Sequence, residues 1–435
     1  MSRLCSAWHC TTVSFPLFLS ALTPYISIAI GYSMRALPTF AKVERWMCKT
    51  MPSFGTETLG STLRTATNQA HTAMSRFHTL TVRDIRQETG DCVSVAFQVP
   101  QSLEQTFLRF QPGQHLALRA TINGERIIRN YSICSLPEDR ELRIAVKKVP
   151  LGKFSTFANE RLESGMTLEA MPPGGHFHLL PEDLPARNYL GFAAGSGITP
   201  VYSILRSVLE RQPNSTFTLL YLNRTPNSSI FLHSLSELKN RFMDRFHLLT
   251  LFSQEETDVP LLSGKFTAEK CRAVFSRLVR TDSIQRFFLC GPLPLLEQVT
   301  ETLLGIGVEP NRIRRELFGL PKTAVPTARH RPADPAAGDP ERTGRLDILL
   351  DGKTHHLSFD RTEAATVLEL AHRHGMDLPF ACKAGVCATC KARVKQGAVL
   401  MSANYGLAPE ETAEGYVLTC QSVPQSSMLL VSFDE

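Results

Sequence analysis

Residues 379–393 read Pro-Phe-Ala-Cys-Lys-Ala-Gly-Val-Cys-Ala-Thr-Cys-Lys-Ala-Arg, which places Cys382, Cys387 and Cys390 on one short stretch with four and then two residues between them. Cys420 follows with twenty-nine residues intervening. This is the spacing by which a loop wraps a [2Fe-2S] cluster, three thiolates coming from the loop and the fourth from a distant strand. Ala384, Gly385, Ala388 and Thr389 between the thiols are small, so backbone N–H groups can approach the cluster sulfurs and help set the potential. Structural zinc would usually take two Cys-x2-Cys knuckles, and only one pair here has that spacing; buried, inert cysteines are the blander reading.

The rest of the composition sets bounds around that loop. A chain of 435 residues with 43% apolar and 20% charged residues is ordinary globular protein, long enough for roughly three domains. The formal net charge is +6, of which residues 1–73 supply +4, so the remainder is close to balanced and nothing argues for nucleic acid. The seven cysteines outside the cluster pattern have no framework spacing, which fits a reducing compartment and a cytoplasmic protein. The apolar run at 13–30 is interrupted by Pro16, Pro24 and four polar residues, a poor membrane span with no evident cleavage site after it.

From 77 to about 180 short alternating runs are parted by turn residues, with Asn123-Gly124 as a hairpin signal, and the pattern predicts a small antiparallel barrel. Three groups on it suit a flavin dinucleotide: Arg129-Asn130-Tyr131-Ser132 closing one strand, Pro112-Gly113-Gln114 before another, and Gly152-Lys153-Phe154-Ser155 opening a helix. A guanidinium would take the pyrophosphate (Arg129), an aromatic face would pack by the isoalloxazine ring (Tyr131), a hydroxyl would reach the flavin edge (Ser132), and Gly152 and Ser155 would offer donors at a helix start. An ordinary strand end with a surface arginine is the competing reading of Arg-x-Tyr-Ser alone.

After Pro185 the period changes. A buried strand at 189–194 runs into Gly195-Ser196-Gly197-Ile198-Thr199-Pro200 and a helix, a strand–turn–helix unit that suits phosphate at Gly195, Gly197 and Thr199. Strands at 216–222, 246–252, 286–290 and 313–318 alternate with helical stretches, which predicts a parallel sheet with ligands at its carboxyl end. Arg224 ends one strand and could pair with a 2′-phosphate, favouring NADPH over NADH; a solvated arginine reads as easily. Residues 321–343 hold five prolines and one bulky apolar residue, Val325, the composition of a flexible linker. Beyond it, a hairpin around Asp351-Gly352, a helix at 366–374 and strands at 416–420 and 428–433 surround the cysteine loop. His355, His356, His372 and His374 lie nearby; with thiols available they read as surface or packing residues.

On these residues the chain resembles a known family. Residues 344–435 look like a plant-type ferredoxin domain. The stretch 74–435 resembles the reductase subunits of phenylacetyl-CoA epoxidases, in which a ferredoxin-NADP reductase-like module precedes a C-terminal ferredoxin. Arg-x-Tyr-Ser followed by Gly-x-x-Ser resembles the FAD motif of the ferredoxin reductase superfamily. The resemblance implies a multidomain protein: an FAD-binding antiparallel β-barrel (74–184), an α/β parallel-sheet NAD(P)-binding domain (185–320), a linker (321–343) and an α+β, β-grasp ferredoxin domain (344–435). Met74 looks like the family's own N-terminus, so 1–73 is expected to be a non-native or disordered extension. The resemblance also implies that Cys290 lies near the nicotinamide, that Glu316 and Phe318 approach the flavin, and that Cys382, Cys387, Cys390 and Cys420 hold the cluster. The expected cofactors are FAD, a [2Fe-2S] cluster and NADPH or NADH, and the expected partner is a terminal oxygenase, the di-iron epoxidase. A ketosteroid hydroxylase or fatty-acyl desaturase would serve as acceptor in rival readings, and a redox-sensing or zinc-stabilised binding protein is the non-enzyme one.

Overall fold

The computed structural model describes residues 77–179, 188–318 and 343–434; the expectations for 1–73 and for the linker lie outside them, save that Thr343 already opens a strand. The first sheet comprises β1 (His78–Thr89), β2 (Cys92–Gln98), β3 (His115–Ile122), β4 (Glu125–Ser132), β5 (Leu142–Lys147) and β6 (Thr167–Ala170), in the order β4-β3-β6-β1-β2-β5. All its pairings are antiparallel. An antiparallel bridge between Ile133 and Ile144 joins the two edges and closes the barrel. Asn123 and Gly124 both have positive φ, 52° and 77°, the two left-handed residues that a type I′ hairpin requires. Helix α1 (Glu104–Phe107) buries Phe107 in the barrel, and α2 (Lys153–Glu160) covers it with Phe154.

The second sheet is parallel throughout: β7 (Asn188–Ala194), β8 (Thr216–Asn223), β9 (Phe246–Phe252), β10 (Arg286–Cys290) and β11 (Ile313–Glu316), ordered β11-β10-β7-β8-β9. Because successive side chains alternate faces, β7 sends Tyr189 and Ala193 into one core with α3 (Ile198–Arg211) and α4 (Leu232–Arg241). Leu190, Phe192 and Ala194 enter the other with α5 (Ala268–Arg277) and α6 (Leu293–Gly305). Each fully buried aromatic or leucine side chain contributes about 1.5–3 kcal/mol. The barrel and this sheet share apolar residues in the first core, and Arg206 of α3 grips Asp139 through two hydrogen bonds of 2.7 and 2.9 Å.

The third sheet is mixed: β12 (Thr343–Leu350) and β13 (Lys353–Asp360) form a hairpin, and β14 (Lys391–Gln396), β16 (Tyr416–Leu418) and β18 (Met428–Ser432) complete the order β13-β12-β18-β14-β16. β12 and β18 are parallel, so the chain crosses over between them; α7 (Val367–Arg373) lies in that connection, opened by a capping box between Thr366 and Glu369. A side ribbon pairs β15 (Val399–Met401) with β17 (Ser422–Pro424), and α8 (Pro409–Ala413) precedes β16. The architecture is the expected barrel, parallel α/β sheet and β-grasp unit. Two strands stop short of expectation. β16 ends at Leu418, where a turn (Gln421 N to Leu418 O, 2.8 Å) carries Cys420 instead of a strand. β11 ends at Glu316, where Leu317 turns into the core and Phe318 out of it.

Candidate functional site

The cysteine loop leaves α7 and turns through left-handed residues Lys383, Gly385 and Ala388 before entering β14. A side chain at Gly385 would meet the Ala403 carbonyl at 2.8 Å, so only glycine lets the loop close against its neighbour. Among the four thiols Cys382 is a neighbour of Cys387, and Cys390 of Cys420. The neighbouring Cys387 thiol lowers the pKa of Cys382, and the neighbouring Cys390 thiol lowers that of Cys420. The Ala384 N–H points at Cys382 Sγ (3.3 Å) and the Gln421 amide at Cys420 Sγ (3.6 Å). Among the described residues no three His, Cys, Asp or Glu side chains converge on one metal position. Four thiols at this spacing suit a [2Fe-2S] centre. Three of the four nearby histidines are engaged elsewhere: His356 bonds Asp347 (2.7 Å), His372 stands edge-on to Phe380, and His374 bonds the Leu370 carbonyl (2.9 Å).

A cavity of about 400 Å³ lies where the three sheets meet, lined by His115, Arg129, Ser132, Glu316, Phe318 and the loop from Ala381 to Cys387. Ser132 Oγ is buried there without a hydrogen-bond partner, a donor or acceptor left for a bound group. Glu316 keeps 17% of its side-chain surface, and burial pushes its carboxyl up to about 8. Tyr131 is not in this lining; its ring packs against Phe154 of α2 at 5.3 Å. The Gly152–Ser155 turn caps itself, with Ser155 Oγ donating to the Gly152 carbonyl at 3.1 Å.

A second cavity, about 850 Å³, opens between the segment 147–151 and the carboxyl end of the parallel sheet. Gly195, Ser196, Asn223, Arg224, Lys265 and Phe318 are among its walls. Phe318, 48% exposed, therefore borders both cavities. Leu151 is fully exposed on the same rim in a left-handed conformation. Asn223 Nδ2 is buried without a partner, and Lys147, Lys148, Arg224 and Lys265 make the walls cationic: the residues suit a nucleotide bearing phosphates. Gly197 packs where a Cβ would sit 2.1 Å from the Cys290 carbonyl, and Thr199 Oγ1 donates to the Ser196 carbonyl at 3.1 Å, fastening the turn. Cys290 itself is fully buried and lines neither cavity; its register partner on β11 is Glu316, and its two successors, Gly291 and Pro292, reach the second cavity.

The structure also brings together residues that sequence reasoning passed over. His115, next after the expected Pro-Gly-Gln turn, approaches the Cys387 carbonyl with Nε2 (3.2 Å) and Glu316 Oε1 with Nδ1 (3.8 Å). Burial pushes this imidazole down to about 4. Asn130 donates to Thr389 Oγ1 at 3.2 Å. Arg126 pairs with Asp377, and His176 with Glu411. Barrel bases thus meet acids of the third-sheet unit, the sense of the charge difference between residues 74–321 (+4) and 344–435 (−3).

Comparison with known proteins finds three domain families in the chain. Residues 79–179 match the oxidoreductase FAD-binding domain, 192–301 the oxidoreductase NAD-binding domain and 348–425 the 2Fe-2S iron-sulfur cluster binding domain. One of the subunits of the 1,2-phenylacetyl-CoA epoxidase of Escherichia coli (strain K12) is 40% identical over 361 residues, which cover 83% of this chain and 99% of that protein. The chain belongs to this family of reductases. The ferredoxin reductase component of Rhodococcus rhodochrous 3-ketosteroid-9-alpha-monooxygenase is 33% identical, with 82% of this chain and 97% of the relative covered. The solved structure of phthalate dioxygenase reductase shares the fold, with a TM-score of 0.50 and 21% identity over 82% of this chain and 98% of that one. The reductase is therefore an NAD(P)H-dependent oxidoreductase of the ferredoxin reductase type, carrying FAD-, NAD- and [2Fe-2S]-binding domains. None of its described helices is long and apolar enough to cross a membrane.

Proposed function

We propose that this reductase takes hydride from NADPH and delivers single electrons to the di-iron oxygenase component of a phenylacetyl-CoA epoxidase in the cytoplasm. Nicotinamide gives up an electron pair and a [2Fe-2S] centre accepts one electron at a time, so bound FAD supplies the two-to-one conversion. The observation that carries the reading is that Arg129, Ser132, Glu316 and the cluster loop line one cavity, so donor and acceptor would share a single enclosure.

In this reading Arg129 meets the flavin pyrophosphate and Ser132 the flavin edge, with the Gly152–Ser155 turn holding α2 in place and Tyr131 seated against it. Phe318, on the rim of both cavities, would cover a ring bound there and would have to yield to nicotinamide. Gly195, Gly197 and Thr199 shape the phosphate turn, and Arg224 meets the 2′-phosphate that separates NADPH from NADH. Glu316 faces the first cavity, and Cys290, beside it in register, would back the nicotinamide end from beneath Gly291 and Pro292. Cys382, Cys387, Cys390 and Cys420 would together hold the cluster. The epoxidase as acceptor rests on the 40% identity across almost the whole length of the Escherichia coli relative.

Anaerobic titration tests the reading. NADPH should bleach flavin and cluster absorbance together, and the reduced protein should then support epoxidation by the purified oxygenase component. A colourless protein with stoichiometric zinc, or flavin bleaching with the cluster left oxidised, overturns it.

A further inference from the structure

We propose that His115 is a positioning residue that ties the cluster loop to the flavin cavity and so sets the rate of electron passage between them. The inference rests on the functional reading above and adds a residue to it.

The geometry joins all three sheets at one side chain. His115 is the first residue of β3 in the barrel; Cys387 lies in the ferredoxin loop, and Glu316 ends β11 of the parallel sheet. Cys387 offers a carbonyl, which can only accept. The proton of the neutral ring is therefore on Nε2, and Nδ1 presents a lone pair toward the Glu316 carboxyl.

The backbone on either side of the ring is fixed. Backbone bonds to Gly174 hold its residue from both sides (His115 N to Gly174 O, 2.9 Å; Gly174 N to His115 O, 3.0 Å). Gly175, at φ +103°, lies so close that a Cβ there would stand 2.8 Å from His115 Nδ1. The imidazole is thus wedged between a glycine that leaves room for nothing larger and the loop it bonds.

The other contacts between barrel and ferredoxin differ in kind. Arg126 and Asp377 are both more than half exposed, and such a pair contributes little and weakens with salt; in the His176–Glu411 pair the carboxyl keeps 17% of its surface but the imidazole is nearly half exposed. His115 is buried, and its bond ends on the backbone of a cluster cysteine. Asn130 adds a second internal bond to Thr389, two residues along the same loop. A buried hydrogen bond fixes distance and orientation more stringently than a solvated ion pair, and electron transfer depends on both.

The test uses the full chain loaded with FAD and cluster, mixed with NADPH in an anaerobic stopped-flow instrument, so that flavin reduction and cluster reduction are timed separately. His115→Phe keeps a ring on Gly175 but removes the donor; His115→Gln keeps an N–H at a similar reach. The ratio of cluster-reduction rate to flavin-reduction rate should fall by about tenfold in His115→Phe, the order of one lost buried hydrogen bond, and recover in His115→Gln. Hydrogen exchange supplies a readout independent of turnover: peptides spanning 383–391 should exchange faster in His115→Phe than in the wild type or His115→Gln. An unchanged ratio with unchanged exchange overturns the proposal, as does a fall shared equally by both rates. If the wild-type cluster is not reduced by NADPH at all, the functional reading itself fails, and the two failures are distinct. Should His115→Phe not retain flavin and cluster, a His115→Gln protein that exchanges faster than wild type across 383–391 overturns the proposal, and one that matches it upholds it.

Discussion

The turn after β7 offers the sharpest test of how the nucleotide site is built. Gly197 has an ordinary φ of −61°, so its lack of a side chain matters for space alone. A Cβ would stand 2.1 Å from the Cys290 oxygen, 2.5 Å from its carbonyl carbon and 2.9 Å from the Gly291 nitrogen. All three are backbone atoms at the end of a central strand, and none can rotate away. Gly197→Ala should therefore cost about 1–3 kcal/mol, the range for forcing a methyl into a packed region. That strain has two outlets. If the turn stays in place, the fold loses the whole amount and Tm drops by about 2–4 °C per kcal/mol. If the turn swings off β10, Tm is spared, but Gly195 and Ser196 leave the cavity wall, and KM for NADPH rises by about 5- to 150-fold, the same energy expressed as binding. The assays are thermal unfolding and steady-state dye reduction against NADPH concentration. Gly305→Ala is the control: it is helical with nothing within 4 Å of its Cβ, and it should be neutral or stabilising by about 0.5–1 kcal/mol. A Gly197→Ala protein with wild-type Tm and wild-type KM refutes the packing argument.

Two further outcomes follow from charge. Arg224→Ala should raise KM for NADPH by about tenfold or more while moving KM for NADH much less, since one charge-assisted contact is worth about 1.5–3 kcal/mol; equal effects on both nucleotides would remove Arg224 from the 2′-phosphate. Glu411 is partly buried, which alone would raise its pKa, yet hydrogen bonds from His176, Lys391 and the Ala408 amide bring it down to about 2. A carboxyl lowered by folding stabilises above its unfolded value of 4.5 and loses that contribution as pH falls toward 2. Glu411→Gln should therefore unfold at a lower temperature than wild type at pH 7, with the gap narrowing steadily below about pH 4.5. A gap that does not change with pH would show that its carboxylate charge is immaterial.

Much of this protein was written locally. Four cysteine positions named the cluster, Asn123-Gly124 and Asp351-Gly352 named two hairpins whose residues do have positive φ, and the alternation of buried strands with helices named a parallel sheet. Such signals are legible because a turn or a strand–helix unit is decided by residues within a few positions of one another. The meeting of His115 with Cys387, 272 positions away, leaves no local trace. Neither does the register that sets Cys290 beside Glu316, nor the exit of Phe318 onto the rim of two cavities. Those facts depend on how three separately legible sheets bury their remaining apolar faces and satisfy the polar groups left between them. Only in the packed structure do a barrel histidine, a strand-end carboxyl and a ferredoxin carbonyl become neighbours.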